Sequence, residues 1–389
     1  MPNTNLKFSK AMKRVSPFRV MTVMDRASAL EEQGEKVIHM EVGEPDFTTA
    51  SPILNAAKMA IDNGKTQYTL APGIMELRER IADRYLKKYK VEINPDRILI
   101  TPGASGGLTL LANMLVSPGD GILIPDPAYP CVRNFVHMLS AESQLIPVNI
   151  EQNFQPTLKQ IVQTRQENTV GIWLASPSNP TGTILCRDEM VAISQWANTN
   201  GIHLLVDEIY HGLQYVPYVP SILEVYDSAF VVSSFSKYFG MTGWRLGWII
   251  VPEGYIETAR ILAQNLFISA SSISQFAALA AFTEEAEEVF ERRRVAFKNR
   301  KSFLTSELAS LGFIIPDEIH GAFYVYADIS KFSPDSEIFC DSLLTQQKVA
   351  ITPGTDFGQY RAKQHVRFAF TTSMEDLSEG IERLKSTLK

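Results

Sequence analysis

Between residues 97 and 251 the chain repeats one pattern: a short, nearly continuous apolar run, a turn, then a stretch long enough for a helix. The runs are Arg97-Ile98-Leu99-Ile100-Thr101, Gly121-Ile122-Leu123-Ile124, Val170-Gly171-Ile172-Trp173-Leu174, Ile202-His203-Leu204-Leu205-Val206, Phe230-Val231-Val232 and Trp248-Ile249-Ile250-Val251. Runs that are apolar at consecutive positions, not alternate ones, belong to strands buried on both faces. Separated by helices, they predict an α/β fold with a mostly parallel sheet covered by helices on both faces. Upstream, Ser51-Pro52 opens a helix with a cap residue and a first-turn proline, and Asn63-Gly64 closes it. Residues 74–90 form a second, highly charged helix with Leu77, Ile81 and Tyr85 on one stripe.

From about residue 284 the pattern changes. A long charged helix (285–311) leads to Ala322-Phe323-Tyr324-Val325-Tyr326, a helix near 338–347, a strand at 365–370 and a last amphipathic helix. This predicts a smaller α+β domain joined by the N-terminal segment. The expected division is an arm and part of the small domain (1–44), a large ligand-binding domain (45–284) and the C-terminal small domain (285–389).

Composition narrows the partners. The chain has 389 residues, 45% of them hydrophobic and 21% charged, close to the average for globular proteins. A net charge of −6 gives no broad attraction to nucleic acid or anionic membrane. No apolar run approaches the roughly 20 residues that span a bilayer. Cys131, Cys186 and Cys340 are odd in number and far apart, which fits neither a disulfide framework nor a C-x-x-C metal site. The first 24 residues carry Lys7, Lys10, Lys13, Arg14 and Arg19 without an acid, yet have no apolar h-region. A basic arm and a cytoplasmic location are the expectation.

Parallel sheets bind ligands beyond the carboxyl ends of their strands, and there the candidate chemistry gathers. Lys237 follows the run ending at Val232, with Ser234 three positions before it and Arg245 eight after. A lone lysine is usually a solvated surface charge. Beside Ser and Arg at a strand end it can instead be a reactive amine next to an anion seat, and burial plus a nearby Arg both lower its pKa. Asp207, in Leu205-Val206-Asp207-Glu208-Ile209-Tyr210, ends another run. A carboxylate there caps a helix, pairs with a cation, or keeps a heterocyclic nitrogen protonated, and Tyr210 lies one turn on.

Thr101-Pro102-Gly103-Ala104-Ser105-Gly106-Gly107 joins a strand to an apolar helix, where small residues let backbone N–H groups reach an anion. The same residues match the nucleophile elbow G-x-S-x-G, with Ser105 as nucleophile and His320 or His365 downstream. No HGGG-type oxyanion motif precedes it, and that alternative leaves Lys237 and Arg245 without a role. In Ser178-Asn179-Pro180-Thr181-Gly182, Asn179 is either turn punctuation or a hydrogen-bond donor to a ligand. Arg367, opposite in phase to Val366, Phe368 and Phe370, is a surface arginine or a bidentate clamp for a carboxylate.

Taken in order, Asn179-Pro180-Thr181-Gly182, Asp207-Glu208-Ile209-Tyr210, Ser234-Phe235-Ser236-Lys237, Arg245-Leu246-Gly247 and Arg367 resemble the class I/II aminotransferases, pyridoxal-phosphate enzymes of fold type I. The likeness extends from Val42-Gly43-Glu44-Pro45-Asp46-Phe47 to the C-terminal strand. It implies that Lys237 holds pyridoxal 5'-phosphate as a Schiff base and then serves as general base. It further implies Asp207 on the pyridinium nitrogen, Asn179 and Tyr210 on the phenolic oxygen, and Tyr129 stacked on the ring. Ala104, Ser105, Ser234 and Arg245 would hold the phosphate, and Gly43 and Arg367 the substrate carboxylate, with Asn179 and Tyr129 also beside the substrate. Tyr68 would reach the partner's cofactor in a homodimer.

The implied reaction moves an amino group from an L-amino acid to a 2-oxo acid. Carbon–sulfur β-lyases share the scaffold and remain an alternative. Regulators carrying an aminotransferase-like domain add a DNA-binding module, for which the about forty residues before Gly43 leave no room. No second Arg or Lys is placed for a distal carboxylate, which favours neutral or aromatic substrates. Residues 15–18 are expected to cover the site.

Overall fold

The computed structural model describes residues 8–387; the beginning of the predicted arm (1–7) and residues 388–389 lie outside the described residues. The chain begins with α1 (Arg19–Glu31), the short β1 (Ile38–His39), α2 (Ser51–Asp62) and α3 (Met75–Tyr89). It then alternates through β2 (Ile98–Thr101), α4 (Gly103–Leu115), β3 (Gly121–Asp126), α5 (Pro130–Met138), β4 (Glu142–Pro147), α6 (Leu158–Thr164), β5 (Thr169–Ala175), α7 (Arg187–Asn200) and β6 (His203–Asp207). After β7 (Phe230–Ser234) and β8 (Gly247–Ile250) come α8 (Ile256–Phe267), α9 (Ser272–Leu279) and the long α10 (Glu284–Leu311). The C-terminal part holds β9 (Tyr324–Asp328), α11 (Ser336–Ser342), β10 (Val349–Ala350), β11 (Thr352–Pro353), β12 (His365–Ala369) and α12 (Met374–Thr387).

Seven strands form one sheet in the order β2-β8-β7-β6-β5-β3-β4. All neighbours in it are parallel except β8, which runs antiparallel to both β2 and β7. The apolar runs are strands because both of their faces are covered: every residue of β2, β3, β7 and β8 is buried. Truncating a side chain such as Leu204 in β6 to alanine would cost about 2–5 kcal/mol.

Two readings shift in detail. Ser51 is the first helical residue of α2, and Ala50 stands at its cap without a side-chain bond. β4 was hidden because its burial alternates at the sheet edge and Gln144 fills an inward position.

The smaller sheet has the order β11-β12-β9, antiparallel throughout. The N-terminal segment joins this end of the molecule: β1 pairs in parallel with β10, Ile38 opposite Val349. Arg300 of α10 grips Asp46 through two parallel bonds of 2.8 and 2.7 Å, with its guanidinium 5.0 Å from the Phe47 ring centroid. That bidentate pair anchors the segment carrying Gly43 to the long helix.

Candidate active site

The carboxyl ends of β2, β3, β5, β6 and β7 face β9 and β12 across a cavity of about 380 Å³. Into one cavity the fold brings Gly43, Ala104, Ser105, Tyr129, Asn179, Asp207, Tyr210, Lys237, Arg245 and Arg367, ten of the twelve site residues expected from sequence.

Lys237 follows β7, and its Nζ donates to the Gly43 carbonyl oxygen at 2.6 Å. Burial pushes the ammonium down to about 8, with Arg367 and Arg245 adding to the effect against Glu44 and Asp207. Asp207 closes β6; its Oδ1 accepts the Ile209 N–H at 3.0 Å, and among the described residues no donor reaches Oδ2. Burial raises this carboxyl to about 6, the Ile209 bond and Lys237 holding it back. A buried acid with one bare oxygen is the arrangement that a cationic ligand atom stabilises.

The anion end is built by α4 and Arg245. Gly103 has φ +69°, and a Cβ there would lie 2.6 Å from Arg245 Nη2, so the guanidinium approaches the helix start only because the residue is glycine. Ala104 and Ser105 follow in the first turn, where free N–H groups and the helix dipole favour negative charge. Ser234 stands apart. It is 2% exposed, its Oγ lies 3.0 Å from the Leu246 carbonyl oxygen it donates to, and it accepts the Ser236 N–H at 3.0 Å. Ser236, which sequence spacing passed over, lines the cavity in its place.

On the opposite wall Arg367 is 3% exposed, so the strand around it is not the half-exposed one its alternation allowed. Nη1 donates to Asn179 Oδ1 at 2.9 Å and Nη2 to the Glu41 carbonyl oxygen, while Nε is buried without a partner. The guanidinium sits 4.3 Å from the Tyr324 ring centroid. Tyr324, also missed, bonds the Tyr210 hydroxyl at 3.0 Å. A Cβ at position 43 would lie 1.8 Å from the Tyr324 hydroxyl, so only glycine fits there.

Phe18, Val20 and Met21 close the apolar side, with the Phe18 ring edge-on to Tyr129 at 6.0 Å. Asp356 fixes the start of α1 by accepting the Arg19 N–H at 2.8 Å and the Val20 N–H at 3.3 Å. Tyr68 lies outside the cavity and is 80% exposed. The nucleophile-elbow alternative lacks its histidine: Ser105 shares the cavity with Lys237, whereas neither His320 nor His365 lines it, and His365 Nδ1 bonds the Arg361 carbonyl oxygen.

The profile of the aminotransferase class I and II family matches residues 35–384, and the chain belongs to that family. It is similar, at 37% identity, to the (5-formylfuran-3-yl)methyl phosphate transaminase of Methanocaldococcus jannaschii, over 98% of this chain and 99% of the relative. It is 36% identical to the valine–pyruvate aminotransferase of Mycobacterium tuberculosis, over 96% and 97% of the two chains. A solved aminotransferase from Mycobacterium tuberculosis superposes with a TM-score of 0.96 at 35% identity, covering 99% of each chain.

The protein is therefore a pyridoxal-phosphate-dependent aminotransferase of fold type I. The cavity suits that cofactor by its own chemistry: its wall holds a helix start with Arg245 beside it, a lysine with a lowered pKa, and a buried acid with a bare oxygen.

Proposed function

We propose that this aminotransferase acts on L-amino acids with neutral or aromatic side chains and passes the amino group to a 2-oxo acid. The wall around the cavity carries the reading. Its cations are Lys237, Arg245 and Arg367, and Phe18, Val20, Met21 and Leu108 supply apolar surface. With Lys237 and Arg245 committed to the cofactor and Arg367 to the α-carboxylate, no cation of this wall is left for a distal carboxylate. Glu44 and Asp207 would repel one. The relative named for valine and pyruvate agrees with such a pocket.

In this reading Lys237 Nζ would hold the cofactor through its aldehyde. Ala104, Ser105 and Arg245 would hold the phosphate, with Ser234 supporting them through Ser236. Asp207 would serve the ring nitrogen, Asn179 and Tyr210 the phenolic oxygen, and Tyr129 the ring face. When bound, the cofactor supplies an electron sink that makes an amino acid's α-proton removable. The chain does the rest. Arg367 and Gly43 fix the carboxylate and thereby the direction of the α C–H bond. Lys237 Nζ would carry that proton from the substrate α-carbon to the cofactor carbon two atoms away, and its lowered pKa keeps a fraction of it as free base near neutrality. Phe18 and the start of α1 keep water off the reacting atoms.

The three-part division of the chain at residues 44 and 284 belongs to the same proposal, as does a homodimer in which Tyr68 enters the partner's site. The exposed Tyr68, Leu70, Met59 and Ile268 support the dimer. Cytoplasm is the compartment this reading proposes. Cys131, Cys186 and Cys340 are unpaired, and among the described residues no helix is long and apolar enough to cross a membrane.

The test is a half-reaction with single L-amino acids and no oxo acid, followed by the cofactor's absorbance and by ammonia release. Conversion by valine- or phenylalanine-type substrates ahead of aspartate and glutamate, without ammonia, is expected. Preference for aspartate would overturn the substrate class, and ammonia release would restore the lyase alternative.

A further inference from the structure

A second cavity, of about 690 Å³, shares no lining residue with the catalytic one. Its walls are the outer face of α3, the first half of α10 and the loop 212–217. Six cations line it, Arg80, Arg84, Lys87, Lys88, Arg294 and Lys298, against the acids Asp83, Glu287 and Glu291. In a chain of net charge −6 this excess of three positive charges at one concave place is local, not a general property of the surface.

Carboxylates pair with only two of the six cations, Arg294 with Glu291 and Arg80 with Glu76. Glu291 is committed: its Oε2 holds Arg294 at 2.7 Å and its Oε1 accepts the Tyr238 hydroxyl at 2.9 Å. Among the described residues no carboxylate oxygen lies within 4.0 Å of the side-chain nitrogens of Arg84, Lys87, Lys88 or Lys298. Asp83 and Lys87 have the helix spacing for an ion pair and do not form one. The Arg84 guanidinium rests 5.1 Å from the ring centroids of both Tyr238 and Phe239. The Lys88 ammonium lies 5.3 Å from the Tyr89 centroid. Burial, with Arg84 adding to it, pushes that ammonium down to about 7 against the opposing pull of Glu208 and Glu291.

Half-buried cations held together without a carboxylate are costly unless an anion joins them. Arg84, pre-positioned on two rings, presents a fork that suits phosphoryl or carboxylate groups bidentately, and Lys88 supplies a point charge beside it. Tyr215, Val216, Pro217 and Phe282 leave apolar surface for the body of a molecule.

We propose that this cavity binds a small polyanion, a molecule with at least two phosphoryl or carboxylate groups, gripped by Arg84 and Lys88 with Lys87 and Lys298 at the rim. The volume fits a metabolite and not a nucleic-acid strand, and the catalytic anion seat at Arg245 is separate from it.

The test is calorimetric titration of the cofactor-loaded enzyme with inorganic pyrophosphate and, separately, with citrate, at constant ionic strength. Loading keeps the Arg245 seat occupied. Saturable one-site binding is expected, tighter for pyrophosphate if the natural ligand is phosphorylated and tighter for citrate if it is a polycarboxylate. The pair Arg84→Gln with Lys88→Gln should weaken binding at least about tenfold and leave transamination without probe unchanged. Lys298→Glu, on the exposed rim, should weaken it as well and keeps the test open should the first variant fold poorly. Failure of both probes to saturate, or affinities unchanged in the variants, would overturn the proposal.

Discussion

The Lys237 ammonium donates to the carbonyl oxygen of Gly43 across 194 positions of sequence. This contact joins the loop after β7 to the segment that Arg300 clamps through Asp46, so the reactive amine and the backbone proposed to meet the substrate are positioned together.

Gly43→Ala puts a methyl group where the Tyr324 hydroxyl lies, 1.8 Å away. The substitution should lower kcat/KM at least about tenfold with the far-ultraviolet spectrum unchanged, since a misplacement of about 1 Å is that costly. Adding Tyr324→Phe, which removes the clashing oxygen, should recover part of the loss. Steady-state kinetics on the two single variants and the double variant would show non-additivity; strictly additive losses would contradict the coupling.

The lowered pKa of Lys237 sets a pH dependence of known sign. Its folded value of about 8 lies below the ordinary 10.5, so between those values the unfolded chain binds more protons than the folded one. Stability of the cofactor-free protein therefore gains from this group as pH rises from about 8 towards 10.5, and the burial penalty is complete below 8. Lys237→Met should flatten that part of the urea-midpoint profile. In the cofactor-free protein that keeps Lys237, the rate of cofactor attachment should rise with a midpoint near pH 8; a midpoint near 10 would mean the amine is not desolvated.

Asp207→Asn keeps Oδ1 for the Ile209 N–H and removes the negative charge from the oxygen that no donor reaches. Turnover should fall about a hundredfold or more while melting temperature changes little, because the loss is electrostatic support at the reacting ring. Near-normal turnover would remove Asp207 from the chemistry.

Arg367→Lys replaces a fork by a point charge. KM should rise about tenfold for every amino acid alike, whatever its side chain. A rise confined to one side-chain class would reassign the arginine to side-chain recognition.

Asp356→Asn weakens the cap on α1, and with it the position of Phe18, Val20 and Met21. About 1 kcal/mol of local stability should be lost. Hydrogen exchange of the amides at 19–22 should quicken and KM rise more than kcat falls. Unchanged exchange would show that α1 is held by its salt bridges to α11, Arg19–Glu337 and Arg26–Asp341.

The central sheet was legible because β2, β3, β7 and β8 are buried on both faces and so carry uninterrupted apolar runs. β4 was not, since an edge strand alternates and Gln144 satisfies its amide by bonds to Asn168 and Thr169 that only tertiary structure reveals. Ten of the residues lining the cavity were legible because each stands directly after a strand, in a turn, or out of phase in an apolar run. Tyr324 looked like an ordinary strand residue, and its part depends on Tyr210, 114 positions away. Asp356 caps a helix 337 residues upstream, a relationship without any local trace. Ser234 and Ser236 share one short motif, and only the turn after β7 decides which of them faces the cavity.

The central claim is that Lys237 carries the cofactor. Borohydride reduction of the loaded enzyme, followed by proteolysis and mass spectrometry, tests it most directly. The account predicts a reduced pyridoxyl phosphate adduct on the peptide containing Lys237, and none in Lys237→Ala. An adduct on another lysine, or no adduct from a coloured, active enzyme, would contradict it.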